Sequence, residues 1–468
     1  NITALVDSAQ PLPGSESGEV STDVLKMALS VRDWLRKDGL GGAFGRAQRD
    51  GRVDPRVIQE TIRRDAWQRT VEAAERHYAP GKFTTFVGYE YSASPTGMLH
   101  RNVIFKGARV AELPFSSIDS INPEDLWAWL DRLRTRGIEA LAIPHNPNAS
   151  RGTFFQTTTF AGEPMDAAYA QLRMRNEPIV EITQVKGTSE THPLLSPNDE
   201  WADFEVRDRP ADQVSGSYAR EALLMGLELK NSQGFNPYRF GFIGSSDTHN
   251  TGGSYEEPTY HGKIGVLDGR PEWRLATLNK DNPELNRLGT TLTGFNWSAS
   301  GLAAVWAEAN TREAIYEAFR RKETFATSGP RIRVKFFAGY DLDEADTSRL
   351  HATGVPMGGV LPVRPEGATA PSFAVSALAD PGTPQRPGGL LQRIQIIKVN
   401  LDGAGNFVQQ VYDVAGHAQG TAGVDLDTCT PQGSGATSLC AVWQDPEFDP
   451  DRDAIYYARV VENPSCRW

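Results

Sequence analysis

Glu90, His100, His145, Asp247 and His249 are all residues that ligate metals, and each stands in or just after a short apolar run. The runs are FTTFVGYE ending at Glu90, GMLHRNVIF carrying His100, EALAIPHN carrying His145, and FGFIGSSDTHN carrying Asp247 and His249. Strands that end on one rim can aim such side chains at one point although the residues lie far apart in the chain. Imidazole and carboxylate together suit Zn, Mn or Fe, whereas Ca takes an oxygen shell. A carboxylate can bridge through its two oxygens and a neutral imidazole gives one firm bond. Two metals about 3.5–4 Å apart can then share a hydroxide. The chemistry implied is metal-assisted hydrolysis.

Other residues near these runs could touch a substrate. VKGTSETHP places Lys186, Glu190 and His192 in one loop. The loop is either solvated or lies at the rim of a site; in the second case Lys186 can meet an anion and His192 can give a proton to a leaving group. Arg101, directly after His100, can grip a phosphate with two parallel hydrogen bonds, or simply pair with a carboxylate. Asn146, directly after His145, is a further expected substrate contact. His77 sits on a polar helix and reads as surface, as do His261, His351 and His417 in polar or Gly-rich loops.

The elements that must carry these residues are legible in outline. Ser21-Thr22-Asp23 opens a helical pattern that ends near Gly39, and Asp54-Pro55 opens a second that runs through Trp67, Val71 and Ala74 towards Pro80. Asn122 caps a helix that Gly137 stops, and the run to His145 follows at once. Residues 146–175 read as loop, PIVEITQ (178–184) as a buried strand, residues 217–230 as a helix, and Thr311 as the cap of another. Helices alternating with short apolar strands from 21 to about 330 predict parallel βα units. From 331 to 468 helical periodicity nearly vanishes. RIRVKFF, SFAVSAL, RIQIIKVNLD, NFVQQVYDV, CAVW and AIYYARVVE predict a second, smaller all-β domain, a sandwich. The expected division is therefore 1–330 and 331–468.

Composition limits the function classes. With 468 residues, 39% hydrophobic and 23% charged, the chain can bury more than one core. Its net charge of -11 argues against nucleic acid as a partner, since phosphate backbones require a basic face. No apolar run is long enough for a membrane span. The cysteines are Cys429, Cys440 and Cys466. Cys429 and Cys440 bracket a Gly/Ser-rich loop that a disulfide would stabilise by roughly 3 kcal/mol on loop entropy alone. The alternative is unpaired thiols in a reducing compartment.

GYE…H, PHN and SSDTH, in this order, resemble the later metal motifs of the PHP (polymerase and histidinol phosphatase) superfamily. ETFATSGPRIRV and the β-rich tail resemble a bacterial branch of unknown function. The resemblance implies an α/β protein, a distorted (βα)7 barrel with two or three divalent metals (Mn, Zn or Fe) and phosphoesterase activity on a small anionic substrate. It implies Glu90 as the carboxylate bridging two metals, His100 and His145 as ligands of one, Asp247 as ligand of the other, and His249 on a third. The family's opening His-x-His and Asp-His motifs have no counterpart before Glu90, so their strands are expected upstream of Asn1. An enzyme scavenging phosphate suits a periplasmic or secreted setting, where Cys429 and Cys440 would be joined and Cys466 left as the odd thiol. Two rival readings are hydrolysis of another ester, amide or sulfate bond, and a degenerate barrel that binds an anion or partner without catalysis.

Overall fold

The computed structural model describes residues 60–207, 209–249, 263, 300–342, 350–417 and 422–466. The expected helix at 21–39, the Asp54-Pro55 start and His261 lie outside them. The second expected helix is present from Glu60 to His77 (α1), with Trp67 buried and Trp67 Nε1 donating to the Ala111 carbonyl at 2.8 Å. His77, at its end, is exposed.

The first three strands differ from the expectation. β1 (Gly88–Tyr91), β2 (Arg101–Phe105) and β3 (Ala140–Pro144) form one sheet in the order β1-β2-β3, and both pairings are antiparallel. For β1 and β2 the reason is the connection length. Residues 92–100 hold no helix and are too few for a crossover, which needs about a dozen residues or more, so the chain doubles back. Between β2 and β3 runs α2 (Pro123–Thr135). Asn122 caps it as expected, its side chain accepting from Glu124 N at 2.9 Å, and Gly137 turns the chain at φ 72°.

The expected loop at 146–175 contains a helix, α3 (Ala167–Asn176). Asp166 caps it by accepting from Tyr169 N at 2.7 Å, a start signal that the weak apolar periodicity of AAYAQLRMRN obscures. The strand β4 (Ile179–Gln184) follows, then a short return β5 (Gly187–Thr188), helix α4 (Ala219–Gln233) and β6 (Gly241–Gly244). β6 pairs parallel with β4, the βα arrangement predicted for this region. β7 (Leu302–Val305) and β8 (Thr324–Thr327) are antiparallel, with α5 (Arg312–Arg321) between them, capped by Thr311. The strands form several small sheets, and the described residues do not close a barrel.

Among the described residues that remain, the regular elements are strands, apart from a single helical turn at Leu350–Thr353. β9 (Arg333–Gly339), β10 (Val355–Pro356), β11 (Ser372–Leu378) and β16 (Ser438–Gln444) make one antiparallel sheet. β12 (Leu391–Leu401), β13 (Phe407–Gly416) and β17 (Ala454–Glu462) make a second. Ile332, Phe336, Phe373, Val375, Ile394 and Ile396 share one core between them. A small hairpin, β14 (Gly423–Asp425) and β15 (Thr430–Gln432), stands beside these sheets.

β12 explains how the two parts of the molecule join. Side chains alternate along a strand, so Ile394 and Ile396 face the sandwich core while Ile397, Val399 and Leu401 face the other way. That second face packs on Leu223, Leu224 and Leu227 of α4. RIQIIKVNL is a continuous apolar run because both of its faces are covered. The cysteine expectation is corrected here. Cys429 is joined to Cys466, with Cα atoms 5.6 Å apart, and Cys440 is free and exposed. Cys440 lies within β16, paired with Ser376 of β11, so it is fixed in a sheet rather than free to meet Cys429.

Candidate metal centre

Glu90 ends the apolar run of β1, His145 directly follows β3, and Asp247 and His249 follow β6. His100 is different: it precedes β2. Because β2 runs antiparallel, its N-terminal end lies at the same rim as the C-terminal ends of β1 and β3, with Tyr91 opposite Arg101 and Arg101 opposite Pro144. The backbone closes the arrangement, His145 N donating to the His100 carbonyl at 3.3 Å. Residues separated by up to 159 positions in sequence thus meet by strand ends alone.

Two groups of ligand atoms result, and they share Glu90. Glu90, His100 and His145 form one, and Glu90, Asp247 and His249 the other; in each group the atoms lie within 4.8 Å of one another. Glu90 Oε1 is 2.7 Å from His100 Nδ1 and 3.5 Å from His145 Nε2. Yet these two buried nitrogens have no aligned hydrogen-bond partner among the described residues. Buried polar atoms are nearly always satisfied, so this pair fits a cation placed between imidazoles and carboxylate. The opposite edge of the His100 ring is anchored, Nε2 lying 2.8 Å from Ser94 Oγ. Holding the far ring nitrogen in this way is how a ligating histidine is oriented. Ser92 Oγ donates to Glu90 Oε1 at 2.9 Å.

The electrostatics follow from burial and crowding. Burial opposes charge on Glu90, but His145 and His100 beside it hold its carboxyl well below the usual range. Burial pulls His100 down. It also opposes the charge on His145, where Glu90 outweighs it and raises the imidazole. Glu181, inside β4 and 1% exposed, is raised by burial. One of its oxygens accepts from Asn146 N at 2.9 Å, and the other has no hydrogen-bond partner among the described residues.

Asn146 turns the chain in a left-handed conformation at φ 36°. Its side-chain oxygen accepts from Gln184 Nε2 and from Lys186 Nζ, each at 3.0 Å. Lys186 reaches the centre from the tight β4–β5 return. Gly187 is required there, because its φ is 101° and a Cβ would lie 2.5 Å from the Glu205 carbonyl oxygen. Lys186 Nζ also lies 2.5 Å from Asp247 Oδ2, as an anion-seeking residue at the site would. A second lysine, Lys263, contacts the same carboxylate oxygen. Burial, then the charge of Lys186, pushes Lys263 down to about 7. Burial disfavours the charge on Asp247 too, but Lys186 and Lys263 together hold it far below the usual carboxylate range. His249, lowered by burial, has Nδ1 3.0 Å from the Asp247 carbonyl oxygen.

Two expected contacts are elsewhere. Arg101 does not face the centre: adjacent strand residues point to opposite sides, and it is buried in an ion pair with Glu177 at 2.8 Å, lying over the Phe154 ring. His192 belongs to neither ligand group. Its Nδ1 accepts from Leu194 N at 3.1 Å and its ring lies against Tyr218. Glu190, from the same loop, is tied to Arg220 and Tyr457. His417 is exposed. Lys263, Glu181, Gln184 and Ser94 stand at or beside the centre without belonging to the motifs that mark it in the sequence. Glu181 had a signal, a carboxylate within a buried apolar strand; Lys263 had none.

A mixed α/β chain with two ligand groups meeting on one carboxylate defines a candidate metal-binding protein. The family described as "Protein of unknown function (DUF3604)" matches residues 39–468, and the chain belongs to that family. Neither the curated proteins nor the solved structures contain a match to the chain.

Proposed function

We propose that the protein is a metal-dependent hydrolase of phosphate esters, with Mn, Zn or Fe held by Glu90, His100 and His145 and a second position at Glu90, Asp247 and His249. The observation that carries this reading is the pair of buried imidazole nitrogens facing Glu90 with no aligned hydrogen-bond partner. The order Glu90, His100, His145, Asp247, His249 also supports a distant relation to PHP enzymes.

Bound metal would supply a hydroxide nucleophile near neutral pH and a Lewis acid for the phosphoryl oxygens. The chain's own part is positioning. Ser94 orients His100, Asn146 and Gly187 fix the direction of Lys186, and Lys186 presents an ammonium to the substrate anion. No described helix is long and apolar enough to cross a membrane, and a periplasmic or secreted setting suits both the Cys429–Cys466 bond and a phosphate-scavenging role.

The test is metal content of the purified chain followed by a phosphomonoester and phosphodiester panel with Mn or Zn added. Bound metal with turnover of a phosphate ester is the expected result. Metal with turnover only of carboxylic esters, amides or sulfates would move the activity to another bond. A chain that binds no metal would be a non-catalytic binder.

A further inference from the structure

Asp247 is already held by cations. Its Oδ2 lies 2.5 Å from Lys186 Nζ and touches Lys263 Nζ, and all three side chains are largely buried. Neither lysine is a loose surface group. Lys186 also donates to Asn146 Oδ1 at 3.0 Å, and the Lys263 carbonyl accepts from His249 N at 2.8 Å. Two ammonium groups thus occupy the carboxylate that a cation in the Glu90–Asp247–His249 group would need. The hydrogen-bond partners of the Glu90–His100–His145 group are neutral instead, Ser92 on Glu90, Ser94 on His100, and Gln184 Nε2 3.4 Å from His145 Nδ1, and the charge of Lys186 reaches His100 only as a minor influence. A dication arriving at Asp247 beside two ammonium groups is opposed by like charge, and because these three side chains are largely buried water screens that repulsion only in part.

The geometry points to a built-in competition at Asp247, in which Lys186 and Lys263 hold the second metal position until a cation displaces them. The two positions therefore fill in order, Glu90–His100–His145 first and tightly, Asp247–His249 second and weakly. Displacement turns both ammonium groups from internal counter-ions into ligands for an anion. Lys263 is thereby assigned as an anion-binding residue alongside Lys186. This rests on the metal-hydrolase reading and adds to it an order of loading and a lysine function.

The experiment is calorimetric titration of Mn into the chelator-stripped full chain, comparing wild type with Lys263→Met and Lys186→Met. Wild type is expected to bind one ion tightly and a second at least tenfold more weakly. Lys263→Met should tighten the second step at least tenfold and leave the first within threefold. Equal affinities in wild type, or a second step unmoved in both variants, overturns the competition while leaving the metal site standing. No binding in any of the three proteins overturns the metal-hydrolase reading and this inference with it. A second measurement uses wild type only, in case a variant misfolds. Acetylation of Lys186 and Lys263 by an activated ester, read by mass spectrometry against the exposed Lys82, should rise at least threefold at saturating Mn. Unchanged labelling at both lysines overturns the proposal.

Discussion

Two clusters of buried charge occupy this molecule, and they are built on opposite rules. At the junction between α4 and the sandwich, Arg220 is fully buried and every part of its guanidinium is used. It meets Glu190, Asp199 at 2.8 Å, Tyr457 Oη at 2.6 Å and Gln409 at 3.3 Å. Arg459 from β17 completes the network with two hydrogen bonds to Asp199 at 2.7 and 2.9 Å. At the rim of β1, β2 and β3, the imidazoles of His100 and His145 approach Glu90 without alignment. Buried charge with all its partners is structure; two buried imidazoles facing a half-exposed carboxylate without an aligned hydrogen bond mark a candidate site. Glu190 teaches the same lesson: it shares a loop with Lys186 at the candidate site, yet it anchors the second part of the molecule.

The largest expected effect is at the rim. Glu90→Gln keeps the shape and removes the charge shared by both ligand groups, so metal affinity and hydrolysis should each fall by more than about a hundredfold. Lys186→Ala should act mainly through KM. Equal losses of kcat in the two variants at full metal occupancy would break the assignment of Glu90.

The junction should respond in stability alone. Arg220→Met leaves Glu190 and Asp199 facing a buried apolar group, which costs about 3–5 kcal/mol. Chemical denaturation should register this loss while metal content per folded chain stays at the wild-type level. A parallel loss of metal would mean that the two clusters are not separate.

The Cys429–Cys466 bond closes a loop of sequence separation 37. On loop entropy such a link is worth about 2–4 kcal/mol, so Cys466→Ser should lower stability by that order and Cys440→Ser by much less. Peptide mapping of unreduced protein should recover the two halves of this bond together. A Cys429–Cys440 peptide would contradict it.

A smaller effect separates the clusters by pH. Burial opposes the charge on Asp199, but its hydrogen bonds to Arg459 and the charges of Arg220 and Arg459 lower its carboxyl to about 2. A lowered folded value means the stabilisation is complete above the unfolded value near 3.9 and is lost as pH falls towards 2. The stability gap between wild type and Asp199→Asn should therefore close by about 1–2 kcal/mol between pH 5 and pH 2, after allowance for solvent screening. A gap constant over that range would remove Asp199 from the structural network.

Much of this was legible in local pattern. Asn122 and Thr311 announce helix starts because a side-chain oxygen at that position satisfies an otherwise unpaired backbone donor. The strands of the sandwich announce themselves by β-branched and aromatic runs between turns. The candidate metal ligands stand out because each lies at the edge of an apolar run. That signal needs no knowledge of which strands are neighbours. Strand direction was harder: β1 and β2 pair antiparallel because residues 92–100 are too short for a crossover, a limit of chain reach rather than of residue type, while β2 and β3 pair antiparallel although α2 lies between them.

Residue types and their spacing by themselves determined which side chains could bind a metal, where helices begin, and where helix gives way to strand. Only the tertiary structure decided what faces what. Arg101 stands next to His100 in the chain yet turns away to Glu177, because neighbours on a strand point to opposite sides. Cys429 is joined to Cys466 rather than to the nearer Cys440, because a cysteine held in a sheet cannot travel to its partner. Lys263 reaches Asp247 although no motif marks it. Coulombic attraction depends on distance in space, and distance in space is what packing alone supplies.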